Sequence, residues 1–360
     1  MLRLNKTQLF CLMMLFEIGS TTLFVLGIDA KQDAWVSILI SIPLGLILLN
    51  IYLKILKISY KENFAEIIIK ILGKYIGYPL VFFYGLYFIY IFTRNIRDFT
   101  ELISITFLPN TPFIVINIIF VLCIAYVLTF GLEVLGRTSE INFPILLIFI
   151  ISSYIFISAS GYFNIDQLKP ILSNDIKTIL TPVFSQLIFF PFGEIIVFLM
   201  FWCYVDAIES VNKISYIAII ASGIILTLTT VITLCVLGPA IASYVTIPFL
   251  EVIKLINIAD IITNLDAIGI AIIFIGGFYK AAIFLYGGVL ALSTLFKLKN
   301  FKWLLILICI VVSWYSKVFE PNYSYHVWLG LKMTPLYIHL PFQIIIPIML
   351  LIIKYLKINS

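Results

Sequence analysis

Apolar runs about twenty residues long, separated by short polar stretches, succeed one another from Leu9 to Tyr355. A run of that length is what an α-helix needs to cross a bilayer. The pattern predicts ten such spans, at Leu9 to Ile28, Trp35 to Ile55, Tyr78 to Leu108, Phe113 to Phe130, Ile141 to Ser160, Val183 to Tyr204, Ser215 to Leu237, Ala267 to Phe296, Trp303 to Trp314 and Tyr337 to Tyr355. The ninth is short. The stretch Ile241 to Leu265 is apolar but carries Pro248, Glu251, Lys254 and Asp260, and is expected to be an extracytoplasmic loop with an interfacial helix.

Two spans carry interruptions. In the sixth, Phe190-Pro191-Phe192-Gly193-Glu194 lies inside an apolar run, and Pro and Gly together should break the helix there. An acid beside such a break, deep in the membrane, should face protein or water, which is how a midplane binding site is built in transporters. A simple proline kink with Glu194 neutral and hydrogen-bonded is the alternative. The first span repeats the theme: Phe16-Glu17-Ile18-Gly19-Ser20-Thr21-Thr22 overlays Phe190 to Ile196 when Gly19 is set on Gly193. Five spans separate the two, so the halves would have opposite orientation. The expected fold is therefore an all-α integral membrane protein of ten transmembrane helices, a five-plus-five inverted repeat with broken helices 1 and 6, in one domain: residues 1–165 form the first repeat and 180–357 the second.

Composition agrees with this picture. The 360 residues are 62% hydrophobic and 11% charged, too apolar for a soluble domain of this length. Of 23 Lys and Arg, fourteen fall on the side that holds both termini, six fall opposite, and Arg94, Arg97 and Lys280 lie inside spans. The positive-inside rule puts both termini in the cytoplasm. Because the basic residues are scattered among short loops, the net charge of +5 reflects topology and not a nucleic-acid surface. The basic start leads into a retained first span, since Glu17 interrupts the run and Asp29-Ala30-Lys31-Gln32-Asp33 replaces a cleavage site. The five cysteines read as packing residues, His326 and His339 as satisfied or exposed groups around the last external loop. No metal, nucleotide or nucleophile motif is present, so neither a cofactor nor an enzyme is expected.

The charges inside spans remain. Arg94 with Asp98 and Arg97 with Glu101 are spaced i,i+4 in span 3, which allows either a gate or vestibule lining or a neutralised ladder near the end of a tilted helix. Lys280 has no charged neighbour within a turn; Glu194, Glu17 or a wet cavity could receive it.

These pieces together resemble the B subunit of bacterial spore germinant receptors, the spore germination permease family, related to amino acid/polyamine/organocation transporters. The resemblance rests on Glu17-Ile18-Gly19-Ser20, Asp33-Ala34-Trp35, Arg97-Asp98-Phe99-Thr100-Glu101 with Leu108-Pro109-Asn110-Thr111-Pro112, Gly131 to Arg137 with Glu140, Phe190 to Glu194, and Lys280-Ala281-Ala282-Ile283-Phe284-Leu285-Tyr286. Asn264-Leu265-Asp266 departs from it, lacking an expected Arg. The resemblance implies a germinant-sensing membrane subunit that binds a small nutrient such as an amino acid between spans 1, 3, 6 and 8. It also implies assembly with an A-type membrane subunit and a C-type lipoprotein in the spore inner membrane. Expected ligand contacts are Glu17, Gly19, Ser20, Thr21, Tyr90, Phe192, Gly193 and Glu194, with Arg94, Arg97, Asp98, Glu101 and Lys280 as gating or structural charges. A proton-coupled amino acid permease is the competing function.

Overall fold

The computed structural model describes residues 3–257 and 265–359. Among these the chain is helical almost throughout, with a single isolated pairing between Leu4 and Val205. Helix α1 spans Lys6–Ile18 and α2 Ala34–Leu56. The helix α3, Phe64–Thr106, is broken at Gly73, whose φ of 75° only glycine adopts cheaply. Then come α4, Phe113–Thr129, α5, Leu132–Ala159, the short α6, Ile176–Pro182, and α7, Val211–Tyr244, broken at Gly238. The second half closes with α8, Pro248–Lys254, α9, Asp266–Phe296, α10, Lys302–Val318, α11, Tyr323–Trp328, and α12, Ile346–Asn359.

Seven helical stretches among the described residues are long and apolar enough to cross a membrane. An eighth is added if α10 and the stretch Tyr323–Met333, bent from it by 109°, count as one. The difference from the expected ten has a physical cause: α1 stops after 13 residues where the first span breaks, and α4 has only 17 residues. The ninth expected span is a helix that turns sharply at Glu320-Pro321, where the proline bars a helical Glu320. The expected interfacial helix is present as α8, yet Phe249, Leu250, Val252 and Ile253 are buried, with the last packed beside Gly269 of α9, so it is part of the bundle. Asp260 and Asn264 lie outside the described residues.

Local chemistry starts the helices. Asn5 accepts from the Gln8 amide at 2.8 Å while the Gln8 side chain accepts from the Asn5 amide, and Asn63 and Glu66 repeat this box at α3. Each such cap contributes about 1 kcal/mol. Glycines then let helices approach. An added Cβ on Gly85 would meet Leu292, one on Gly288 the carbonyl of Gly85, and one on Gly277 would fall inside the Phe99 ring, so α3 and α9 seat into one another. Close approach through small residues is the principal packing device where water supplies no drive between helices.

Polar contacts mark the two ends of the bundle. At one end the Leu4 amide donates to Tyr204 at 2.9 Å, Asn63 bonds Thr294 at 3.2 Å, and Lys357 caps the Ile71 carbonyl at 2.7 Å. The other end carries the Lys332–Asp29 ion pair, and Asn174 reaching Asp33 at 2.8 Å. N- and C-terminal segments thus share an end.

Candidate functional site

Both expected breaks are present. After Ile18 the chain tightens into a 3-10 stretch, Gly19–Leu23, and leaves it extended at Phe24. The carbonyls released there are met by nearby hydroxyls: Thr21 donates to the Glu17 carbonyl at 2.7 Å and to that of Ile18, and Thr22 to Gly19 at 3.2 Å. This is how a non-helical backbone survives within apolar surroundings. In the second break, α6 loosens into a π turn at Val183–Leu187, the Phe190–Pro191 bond is cis, and Phe192–Met200 winds as a 3-10 helix. Tyr52 donates to the carbonyls of Gln343, at 2.8 Å, and Gly193, at 3.2 Å.

Between the breaks lies a small cavity of about 50 Å³. Ser20 and Phe24 come from the first break, Phe190 and Glu194 from the second, and Ile91, Arg94, Asn95 and Asp98 from α3. His326 and Val327 of α11, the following Gly330, Leu331 and Thr334, and His339 complete it. The Asn95 amide nitrogen is committed to the Ile91 carbonyl at 2.8 Å, which leaves its oxygen without a partner and free to accept.

Behind Glu194 stands Lys280, its ammonium 2.6 Å from Oε2 and 4.3 Å from the centre of the Phe190 ring. The two are 3% and 0% exposed, so the ion pair is wholly desolvated. Of the partners the sequence allows for Lys280, the structure selects Glu194. Gly19 makes room for it: an added Cβ would sit 3.0 Å from the Lys280 Cδ. Glu17 lies in the same core, 0% exposed, with neither carboxylate oxygen in a hydrogen bond.

Above the cavity one pair of α3 charges closes along the helix and the others are met across helices. The i,i+4 expectation holds for Arg97 and Glu101, 3.7 Å apart, but not for Arg94 and Asp98. Arg94 instead binds Glu320 at 2.8 Å and the His326 carbonyl at 2.7 Å, and Gly330 leaves space for its guanidinium. Asp98 receives His326 Nε2 at 2.9 Å and the Tyr323 hydroxyl at 3.2 Å, while His326 Nδ1 bonds Glu320. His326 is therefore a buried link between two carboxylates. The sequence offered no motif for this, because Asp98 stands more than 200 residues from both His326 and Glu320. His339 is satisfied, as expected, but buried in the helical stretch Pro335–Ile345 that leads into α12 and not around a loop: its Nδ1 is bonded to Tyr87 at 2.8 Å. Pro335 and Pro341 are both accommodated in that stretch by its π turns.

Of the expected ligand contacts, Ser20 and Glu194 line the cavity. Glu17, Gly19 and Thr21 pack behind it. Gly193 faces Gln343, whose oxygen an added Cβ would meet, and Phe192 packs on Gly45 and Gly223. Tyr90 stands beside the cavity, bonded to Thr334 at 2.9 Å. Among the expected charges, Arg94 and Asp98 line the cavity, whereas Arg97 and Glu101 lie farther along α3 and Lys280 lies behind Glu194.

Comparison with known proteins places this geometry. The family described as spore germination protein matches residues 3–324. Spore germination protein KB of Bacillus subtilis (strain 168) is 34% identical over 355 residues, 99% of this chain and 95% of that protein. Spore germination protein XB of Bacillus anthracis is 24% identical, covering 85% and 86%. Among solved structures, that of MhsT in complex with L-phenylalanine superposes with a TM-score of 0.68 over 97% of both chains, at 13% identity, a likeness of fold alone.

Proposed function

The chain belongs to the spore germination protein family, and from that premise we propose that it is the germinant-sensing membrane subunit of a spore germination receptor. A small nutrient carrying an ammonium group, such as an amino acid, binds between the two broken spans. Partner subunits of the A-type membrane and C-type lipoprotein classes read the result in the spore inner membrane. The observation that carries this reading is the cavity itself: two helix breaks, Glu194 and the free Asn95 oxygen converge on it, and acceptors so placed suit a ligand rich in donors. The reading adopts the ten-span, five-plus-five arrangement with both termini cytoplasmic, to which the position of both breaks and the shared end of the termini lend support.

Binding would act by favouring one of two arrangements of the cap formed by α11, since only a ligand that prefers one state shifts the balance. The test uses spores that carry this receptor as their only one, offered amino acids, sugars, nucleosides and bile salts in turn, with uptake of the active compound measured in parallel. Germination without uptake supports a sensor. Loss of that response in Glu194→Gln, with the protein still in the membrane, places the compound at this cavity; an unchanged response removes Glu194 from recognition.

One observation favours the second reading, a proton-coupled amino acid permease: Glu17 is a buried acid beside the Glu194–Lys280 pair with no hydrogen bond of its own. Robust uptake in the same assay would select it.

A further inference from the structure

The core behind the cavity holds two carboxyl groups and one ammonium: Glu17 at 0% exposure, Glu194 at 3% and Lys280 at 0%. Lys280 can neutralise one acid, and it sits on Glu194 at 2.6 Å. Among the described residues the other groups that face this core supply no second positive charge to Glu17: His339, on the cavity wall, has its Nδ1 bonded to the Tyr87 hydroxyl at 2.8 Å. Helix α9 contributes only Lys280; α3 brings Arg94 and Asp98, of opposite sign, with Arg94 engaged by Glu320 and Asp98 by His326. Along α2 no acid or base stands between Asp33 and Lys54, along α5 none after Glu140, and along α7 none after Lys213. Glu251 and Lys254 of α8 neutralise each other at 2.7 Å. A lone carboxylate in such a place is strongly disfavoured, and the group takes up a proton instead.

We propose that Glu17 is a proton-binding site, and that Glu17, Glu194 and Lys280 together hold one exchangeable proton whose place is set by which acid the lysine pairs with. A metal cation is the wrong occupant, because the Lys280 ammonium shares the same core and the Thr21 hydroxyl is already turned to backbone carbonyls. The step balances with a cation as the only co-reactant. When the ammonium group of a ligand in the cavity pairs with Glu194, Lys280 turns to Glu17, the Glu17 O–H bond breaks, and its proton leaves to solvent. No other bond changes. The inference deepens the reading of the cavity, of which Glu194 is a wall, but its experiment needs no ligand and can fail while that reading stands.

The experiment is infrared spectroscopy of the purified chain in lipid nanodiscs at neutral pH, in the carbonyl-stretch region of protonated carboxylic acids, where exposed Asp and Glu are silent. Difference spectra against the wild type isolate this core. Glu17→Gln should lose one carboxylic acid signal. Glu194→Gln should lose the same signal, because Lys280 then turns to Glu17 and ionises it. Lys280→Met should gain one, both acids becoming protonated. Replacing sodium by choline should change nothing. A wild-type signal that survives Glu17→Gln, a Glu194→Gln spectrum that retains it, or its loss on adding sodium overturns the proposal. Should Glu17→Gln fail to fold, the opposite signs expected for Glu194→Gln and Lys280→Met still decide.

Discussion

At the scale of single residues, this structure is governed by what surrounds each buried charge. His326 bonds Asp98 at 2.9 Å and also Glu320, and is 1% exposed. Removing it leaves Glu320 to Arg94 and Asp98 to the Tyr323 hydroxyl alone, so His326→Ala should cost about 3 to 5 kcal/mol of stability, the range for breaking a buried pair from one side. Thermal unfolding of the purified protein measures this, and His326→Gln, which keeps a donor, should lose less. An equal melting temperature for His326→Ala would show that the histidine is not a structural link. Gly19 makes a second case. Valine there would press on Lys280 and on the Gly276 carbonyl, which an added Cβ already approaches to 3.4 Å. Gly19→Val should abolish the germination response while the protein remains in the membrane; a normal response would show that the lysine can be displaced without consequence.

At the scale of elements, the breaks were legible and the pairing was not. Pro191 and Gly193, and Gly19 with its run of hydroxyls, announce their interruptions because each removes or competes with the helix's own hydrogen bonds locally. Of the ion pairs of α3 only Arg97–Glu101, at i,i+4 on one helix, had such a local cause. Arg94 could as well have met Asp98 on its own helix, and only the sharp turn at Glu320-Pro321 brings a better partner. The direction in which Gly193 faces was equally hidden, since a 3-10 winding turns it toward Gln343 where an α-helix would not. Packing between α3 and α9 makes an element-level prediction. Phe99 occupies the space above Gly277, so Gly277→Leu should force the helices apart, lowering membrane levels and melting temperature, with overpacking costs of about 1 to 3 kcal/mol or more. Full retention of both would mean that the Phe99 ring moves freely.

At the scale of the whole molecule, the proposed orientation makes a direct prediction. Lys61 is exposed near the end where both termini gather, and Ser173 is exposed at the other, beside Gln32 at 2.9 Å. In intact cells a membrane-impermeant maleimide should label Ser173→Cys from outside, and Lys61→Cys only after permeabilisation. Labelling of both from one side would contradict the odd number of crossings that the proposed topology places between them.

The bend between α10 and α11 carries one more implication. Glu320 sits in the bend itself and holds both Arg94, on the static α3, and His326, on the cap. Lifting α11 therefore cannot proceed by small degrees: the movement that parts Glu320 from Arg94 also pulls His326 from Asp98, and exposes a cation and two acids together. Before that point the cap resists, and beyond it nothing draws it back until the charges meet again. If the chain is the sensor proposed above, such a catch gives it a threshold, so a population of these molecules would answer a rising stimulus by the number that have tripped, not by how far each has opened.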